Sequence, residues 1–534
     1  MNDDLALDLR RGPHLGHLLA SALERHAAAP VLYVGDQTWT GRDLADRISC
    51  YVQALGEAGC TTGSPVALLA LNRPEVLVMI GAGQMVGLRR TALHPMGSLD
   101  DHAHVLADAG IETLVVEPIP AFVERARALQ ERVPGLRQVL TLGEAEVGQD
   151  LIALATKHTP GPLEVTELDP DAVVSVTYTG GTTGRPKGVV GTASSMAAMT
   201  QVQLAEWEWP EAPRFLMCTP LSHAGAAFFV PTLMAGGSMV VLPRFEPGEG
   251  FRAVEEHRIT ATMLVPSMIY AMLDHPDAEK ADLSSLETVY YGASAMNPVR
   301  LADAIRRWGP IFAQYYGQSE CPMVISYLAR RDHDLERPER LASCGRPSAF
   351  LRTALLDEDD KPVAPGEPGE ICVAGPVLAS GYWNLPDATA ETFRDGWLRT
   401  GDVARADEDG FWYIVDRTKD MIVTGGFNVF PREVEDVIAE HPAVAQVGVV
   451  GVPDEKWGEA VTAVVVLRAD ADRSEAGVAR LTEEIRAAVK ERKGAVQAPK
   501  QVVVADALPL TGLGKPDKKA LRARFWDGRG RSVG

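Results

Sequence analysis

Apolar residues recur at helical spacing over Gly16–Ala29 (GHLLASALERHAAA) and again over Asp43–Gly56, which predicts two amphipathic helices early in the chain. Short apolar runs follow at Val66–Leu71 and Ile111–Val116. They are too brief for buried helices and predict buried strands. Asp171–Tyr178 (DAVVSVTY) is a further strand of this kind, and it runs into a loop dense in glycine and threonine. The alternation continues to about residue 350 and predicts α/β layers built on a mainly parallel sheet. Ala224–Pro243 carries no charge and is long enough to suggest a membrane helix, yet Pro231 and Gly236-Gly237 interrupt it. It predicts a buried helix followed by a buried strand. Between 354 and 416 the pieces become short and β-rich, separated by turns such as Pro365-Gly366 and Asp409-Gly410.

From Asp416 the texture changes. A charged string, DRTKD (Asp416–Asp420), leads into a compact block. Pro431–Glu440 predicts a helix, with proline in its first turn and Val434, Val437 and Ile438 on one face. Val447–Val452 and Ala460–Leu467 predict strands. Ser474–Arg492 predicts a helix capped by Ser474, with basic residues gathered where the macrodipole favours them. The division is expected between 416 and 417, giving a large domain over 1–416 and a small α+β domain over 417–534.

Length agrees with more than one unit, because 534 residues exceed what one core serves. Hydrophobic residues make up 46% and charged residues 23%, which excludes a disordered or fibrous chain. The formal charge of −20 repels nucleic acid and anionic lipid, so neither is expected as a partner. An anionic nucleotide can bind such a chain only where donors and cations cluster. The N-terminus, MNDDLALDLRRG, has no apolar core after a basic start and predicts no secretory signal. Six cysteines are scattered without C-x-x-C or ligand-like spacing, as expected of reduced thiols in a cytoplasmic protein without a zinc site. No integral membrane association is expected.

The strongest chemical signal is Tyr178–Gly188, YTGGTTGRPKG. Four glycines and three threonines in that span let the backbone turn its N–H groups toward an anion, and Lys187 adds a point charge. It is not a Walker A loop, since Arg185 and Pro186 stand between Gly184 and Lys187. Further along come Tyr291–Ala295 (YGASA), Gln314–Glu320 (QYYGQSE), Thr400-Gly401-Asp402, Thr424–Glu435 (TGGFNVFPREVE) and Thr511–Lys515 (TGLGK). Alone, each has a bland alternative: Glu320 a solvated acid, T-G-D an ordinary turn, Lys515 a solvated lysine near a terminus. In this order and spacing they are not coincidental.

Together these strings resemble the superfamily of acyl-CoA synthetases, luciferases and peptide-synthetase adenylation domains, closest in style to fatty-acid–CoA ligases. Gly180 stands where serine is commoner, Ser319 where threonine is usual, and Phe427 where glutamate is frequent. The resemblance implies a large N-terminal adenylation domain with a β-rich end and a small mobile C-terminal lid. It implies ATP, Mg²⁺ and coenzyme A. Thr179, Gly180, Gly181, Thr182, Thr183, Gly184 and Lys187 would cradle the phosphates. Gly292, Ala293 and Ser294 would wall the adenine, and Tyr316 and Gly317 would lie beside it. Ser319 would bond a phosphate, Glu320 would hold Mg²⁺, and Asp402 with Arg417 would take the ribose. Gly425 and Gly426 would line the pantetheine tunnel after rotation about Lys419, and Lys515 would be the catalytic lysine.

Pro220–Gly225 (PLSHAG) resembles the family's segment at the carboxylate site. His223, Gly225, Ala226, Ala227 and Gly292 would then surround the acyl group, with a packed core histidine as the bland alternative for His223. Phe215–Ala235 contains no Asp or Glu, so an amino-acid ammonium would find no partner there. The expected substrate is a bulky, largely apolar carboxylic acid, activated as acyl-adenylate with release of pyrophosphate and passed to CoA. The alternatives are adenylation alone, transfer to a carrier-protein thiol, luciferase-type oxidation, and a non-catalytic adenylate-binding protein. Homodimerisation is left open. Arg89-Arg90 stands where the family commonly has apolar residues, and the sequence offers no account of it.

Overall fold

The computed structural model describes residues 12–179, 186–417, 420–424, 427–454, 457–468, 471–510 and 517–526. Two mostly parallel sheets carry the large domain, as the alternating pattern predicts. A nine-stranded sheet runs in the order Arg346–Pro347, Cys321–Leu328, Phe312–Gln318, Thr288–Tyr291, Ala261–Leu264, Arg214–Met217, Ser238–Val241, Pro30–Val34, Gln37–Thr40. A seven-stranded sheet runs Gln149–Asp150, Gln138–Thr141, Thr113–Val116, Pro65–Leu69, Arg89–Ala92, Val173–Thr179, Lys187–Thr192. Antiparallel pairing is confined to the edges, for example Phe312–Gln318 with Cys321–Leu328. Thr113–Val116, Ala261–Leu264 and Thr288–Tyr291 are buried along their whole length, as interior strands of a covered parallel sheet are, whereas the interior strand Arg89–Ala92 is only partly buried.

Local chemistry sets the helix ends. The helix Gly41–Glu57 starts at a capping box in which Thr40 and Asp43 satisfy each other's backbone N–H. Ala193–Glu206 has the same device with Thr192 and Ser195. Pro74–Val86 begins on proline and stops at Gly87, whose φ of 74° favours glycine and whose Cβ would lie 2.6 Å from Leu168 Cδ2. The uncharged stretch forms a 3₁₀ turn, Ala224–Phe228, a short helix, Phe229–Met234, and the strand Ser238–Val241. The expected helix-then-strand order holds.

The β-rich end is an antiparallel sheet of Arg352–Leu356, Gly369–Ala374, Trp397–Ala406 and Phe393–Arg394, with Trp412–Arg417 added beside Trp397–Ala406. Arg417 is still in register with Asp402, so the division expected after residue 416 falls one residue inside this strand. In the small domain Val444–Asp454 pairs with Gly458–Leu467, and Gln501–Val504 joins the latter in parallel. Alternation divides its side chains. Val461, Ala463 and Val465 join the core under Pro431–Ala439 and Glu475–Lys493, while Ala460 and Val464 meet Leu508 and Leu521 on the other face. Ser474 caps its helix through Gly477 N–H, and Lys490, Arg492 and Lys493 close it. Val403 and Val415 of the β-rich sheet pack with Met421 and Phe430, forming an apolar seam to the small domain. Among the described residues no helix is long and apolar enough to cross a membrane.

Candidate active site

The glycine-rich loop closes a β-hairpin. Val173–Thr179 and Lys187–Thr192 are antiparallel, with Thr179 opposite Lys187 and Tyr178 opposite Gly188. This register holds the two ends of the loop a strand's width apart. The base of the hairpin is anchored from behind: Tyr178 donates its hydroxyl to Asp108 at 2.5 Å, and His104 Nε2 meets the Pro186 carbonyl at 3.3 Å. Residues 380–383 lie alongside, through Ser380 N–H to Val190 O at 3.0 Å, Val190 N–H to Gly381 O at 3.0 Å and Trp383 N–H to Gly188 O at 2.7 Å. Gly188 is required there, since a Cβ would come within 2.6 Å of Val176 and 3.2 Å of Trp383.

That crossing delivers Tyr382, a residue that no motif singled out. Lys187 Nζ lies 5.0 Å from the centre of its ring, and its hydroxyl donates to Glu320 Oε1 at 2.6 Å. A cation and a carboxylate, far apart in sequence, thus meet across one phenol. Burial first, then the Glu320 charge, pushes the Tyr382 hydroxyl well above its usual range. It therefore stays a neutral donor. Glu320 occupies the turn between Phe312–Gln318 and Cys321–Leu328, with its carbonyl accepting from Ala379 N–H at 2.8 Å. Oε1 is taken by the phenol, which leaves Oε2 for an oxygen-seeking cation such as Mg²⁺.

Where the resemblance leads one to expect the nucleoside, Asp402 is buried, and its Oδ2 accepts the Tyr316 hydroxyl at 2.6 Å. Thr400 Oγ1 accepts from Asp402 N–H at 3.1 Å and donates to Ile371 O at 2.7 Å, which ties the T-G-D segment, inside the strand Trp397–Ala406, to its neighbouring strand. Tyr316 and Asp402 are therefore one unit. Gly317 lies at a shift in strand register, and a Cβ on it would sit 2.2 Å from Met323 N. Ser319 is half-buried beside Glu320. In the YGASA segment Gly292 is buried, Ala293 is exposed and Ser294 half-buried. Ala293 has φ of 66°, a strained left-handed conformation of the kind that clusters at ligand sites.

Where the resemblance leads one to expect the acyl group, His223 precedes the 3₁₀ turn, with Ser222 Oγ 2.9 Å from its Nδ1. The ring of His94 meets it edge to face at 4.8 Å. Burial, then His94, lowers His223 to about 4, and burial lowers His94 as well, so both are neutral at pH 7. Buried Asn72 pins the loop: its Nδ2 donates to Thr219 O at 2.9 Å and its Oδ1 accepts from Leu221 N–H at 2.8 Å. The small residues have two origins. Cβ atoms at Gly225 and Gly292 would lie 2.6 Å from Thr219 O and 2.5 Å from Tyr315 O, so these glycines make room for the chain's own backbone. Ala226 and Ala227 are partly buried against the main core. Below them Phe228 stacks on Phe215 at 4.8 Å and touches Trp207, Trp209 and Tyr290.

The structure brings together Thr179, Lys187 and Glu320 around one crossing, joins Tyr316 to Asp402, and sets His223 against His94. Gly180, Gly181, Thr182, Thr183, Gly184, Lys419, Gly425, Gly426 and Lys515 lie outside the described residues, as does the side chain of Arg417. Tyr382, Asn72 and His94 carried no local signal, since each acts on a partner far along the chain.

Two family models match the chain: AMP-binding enzyme over residues 19–383 and AMP-binding enzyme C-terminal domain over 433–515. The chain is 68% identical over 539 residues to a medium/long-chain-fatty-acid–CoA ligase, FadD8, of Mycobacterium tuberculosis, covering 100% of this chain and 94% of that one. It is 36% identical over 493 residues to a feruloyl-CoA synthase of Amycolatopsis sp, covering 92% and 95%. Among solved structures, the amide bond synthetase McbA of Marinactinospora thermotolerans superposes with a TM-score of 0.86 at 34% identity, covering 96% of this chain and 100% of that one. The chain belongs to the AMP-binding enzyme family and, as its motifs led us to expect, is an acyl-activating ligase.

Proposed function

We propose that this chain joins a hydrocarbon-rich carboxylic acid to coenzyme A in two steps. In the first, a carboxylate oxygen attacks the α-phosphorus of ATP, the bond to pyrophosphate breaks, and the acyl-adenylate forms. In the second, the CoA thiol loses its proton, its sulfur attacks the acyl carbonyl, and AMP leaves with the bonding electrons. The observation that carries this is the meeting of Lys187 and Glu320 on Tyr382. A triphosphate needs a cation and a metal-holding carboxylate on one side of it, and phosphoryl transfer depends on little else than position and charge. Glu320 would hold Mg²⁺, which supplies charge neutralisation when bound. Asp402 would accept from the ribose hydroxyls, Lys515 would bridge carboxylate and α-phosphate, and Lys419 would be the pivot between the steps. Cytosolic co-substrates and six unpaired cysteines suit a cytoplasmic location.

For the acid, support comes from the 68% identical relative and from an apolar, acid-free wall at Ala226 and Ala227. The test is pyrophosphate release over acetate, alanine, a medium-chain and a long-chain fatty acid and an aromatic acid, with and without CoA, alongside thioester detection. A fatty acid should lead, and CoA should yield thioester. Preference for acetate or alanine, or adenylate without thioester, overturns the assignment.

A further inference from the structure

His94 sits in a tight turn, closed by Gly97 N–H donating to His94 O at 2.8 Å, just ahead of the helix Leu99–Asp108. Two helices fasten it. His102 Nε2 lies 2.9 Å from the same carbonyl. Arg125, on the helix Pro120–Arg132, reaches His102 Nδ1 at 3.0 Å and Gly97 O at 2.8 Å. Gly97 permits this approach, since a Cβ there would collide with His102 Nε2. The partners also fix the protons. A guanidinium only donates, so His102 Nδ1 accepts. Burial holds His102 at about 4, so at pH 7 its one ring proton is on Nε2 and is donated to His94 O.

The same reasoning sets the tautomer of His94. Its Nδ1 accepts Met96 N–H at 3.1 Å, and a backbone N–H can only donate. The proton of this neutral ring is therefore on Nε2. Among the described residues that N–H has no partner. It is not shut away either: the side chain is half-buried, and Nε2 is not one of the buried unpaired atoms. His223 is half-buried too, and its Nε2 is open and unpartnered in the same sense. The two rings meet edge to face at 4.8 Å. With Ser222 donating to His223 Nδ1, both rings carry Nε2–H. Two neutral donors thus stand together, and the fold uses neither of those protons. Arg125 and His102 hold one of them in place from behind.

We propose that His94, through Nε2–H, binds the carboxylate of the acid substrate beside His223. This rests on the acid lying at His223, as the proposed function has it. Holding one carboxylate oxygen leaves the other to attack the α-phosphorus. The test compares two variants. His94→Phe keeps a ring against His223 and loses the donor, whereas His94→Gln restores an N–H on an amide. In His94→Phe, kcat/KM for a medium-chain fatty acid should fall about 10- to 100-fold, the range for losing one hydrogen bond to a charged group. KM for ATP should stay within about twofold of wild type, and His94→Gln should recover most of the loss. A His94→Phe enzyme that handles the acid like wild type overturns the proposal. So does an equal loss toward ATP, or a loss that His94→Gln does not relieve, since either points to packing. Wild type that releases no pyrophosphate with the fatty acid sinks the proposed function, and this inference with it. Active wild type with an unaffected His94→Phe sinks this inference alone. Should the variants fail to fold, a crystal structure of the wild type with the fatty acid decides: His94 Nε2 beyond hydrogen-bond reach of the carboxylate overturns the assignment.

Discussion

Glu320 is an ordinary glutamate until Tyr382 is placed against it. The phenol engages one carboxylate oxygen and stays neutral, so it orients the acid without removing its charge. Groups that orient a metal-holding carboxylate typically matter about 10-fold or more in metal affinity. Tyr382→Phe keeps the ring under Lys187 and loses only the hydroxyl. It should raise the half-saturating Mg²⁺ concentration of pyrophosphate release about 10-fold, with Tm near wild type. Glu320→Gln, assayed in parallel, should raise it at least as much. If Glu320→Gln leaves the Mg²⁺ dependence unchanged, Glu320 is not the ligand. If Glu320→Gln raises it and Tyr382→Phe does not, the phenol only packs. Motif spacing made Lys187, Glu320 and Asp402 legible as charged residues in unusual contexts. Tyr382 was not legible, because a lone tyrosine after a glycine has no periodicity and its partner is 62 positions away.

Among the elements, the segment from Thr219 to Phe228 owes its shape to a residue outside it. Asn72 offers its amide as both donor and acceptor to Thr219 and Leu221, and Gly225 lets the following turn fold onto Thr219 and Pro220. Together they set where His223 stands. Asn72→Leu keeps the bulk and leaves two backbone groups unpaired, at about 1–3 kcal/mol each. The variant should lose several degrees in Tm, and kcat/KM for the acid should fall about 10-fold or more. KM for ATP should stay near wild type, because Lys187 and Asp402 have separate supports. An equal rise in KM for ATP would show instead that the whole site had loosened. The helix and strand of 224–241 were legible from composition and from their breakers, but the break into a 3₁₀ turn and a short helix was not. It follows from His223 and Gly225 having to meet neighbours fixed elsewhere.

Over the whole molecule, buried neutral histidines set an acid limit. His333 is buried at the end of the 3₁₀ turn Arg330–Asp332, with Nδ1–H donating to Ala329 O and Nε2 accepting the Tyr291 hydroxyl, each at 2.9 Å. Burial holds it at about 4, and burial, with the Arg125 charge opposing protonation, also holds His102 at about 4. Both fall below the unfolded value near 6.5, so the unfolded chain binds more protons between those limits. Stability is therefore complete above about pH 6.5 and declines as pH falls toward 4. For a histidine as buried as His333 the loss approaches about 3 kcal/mol. Tm should fall through that window in a pH series. His333→Gln, which can keep both hydrogen bonds, should flatten the fall. A slope equal to wild type would remove His333 from the account.

What the linear chain determined by itself was the set of elements and most of the charged chemistry. Apolar periodicity is a local property, so strands, helices, caps and the change of texture near Asp416 could be read directly. The phosphate-loop and T-G-D strings were legible because their spacing is chemically unusual. Tertiary structure decided the remainder, since contact at long separation depends on sheet order and register. It decided that residues 380–383 cross the hairpin that carries the glycine-rich loop, that Asn72 supports the loop of His223, and that Gly225 and Gly292 yield space to backbone. It also decided that Arg89 finds the Ala109 carbonyl and the Trp383 ring, while Arg90 beside it has no hydrogen bond or ion pair among the described residues. Strand alternation turns adjacent side chains to opposite faces, and only the packing on each face says which of them finds a partner.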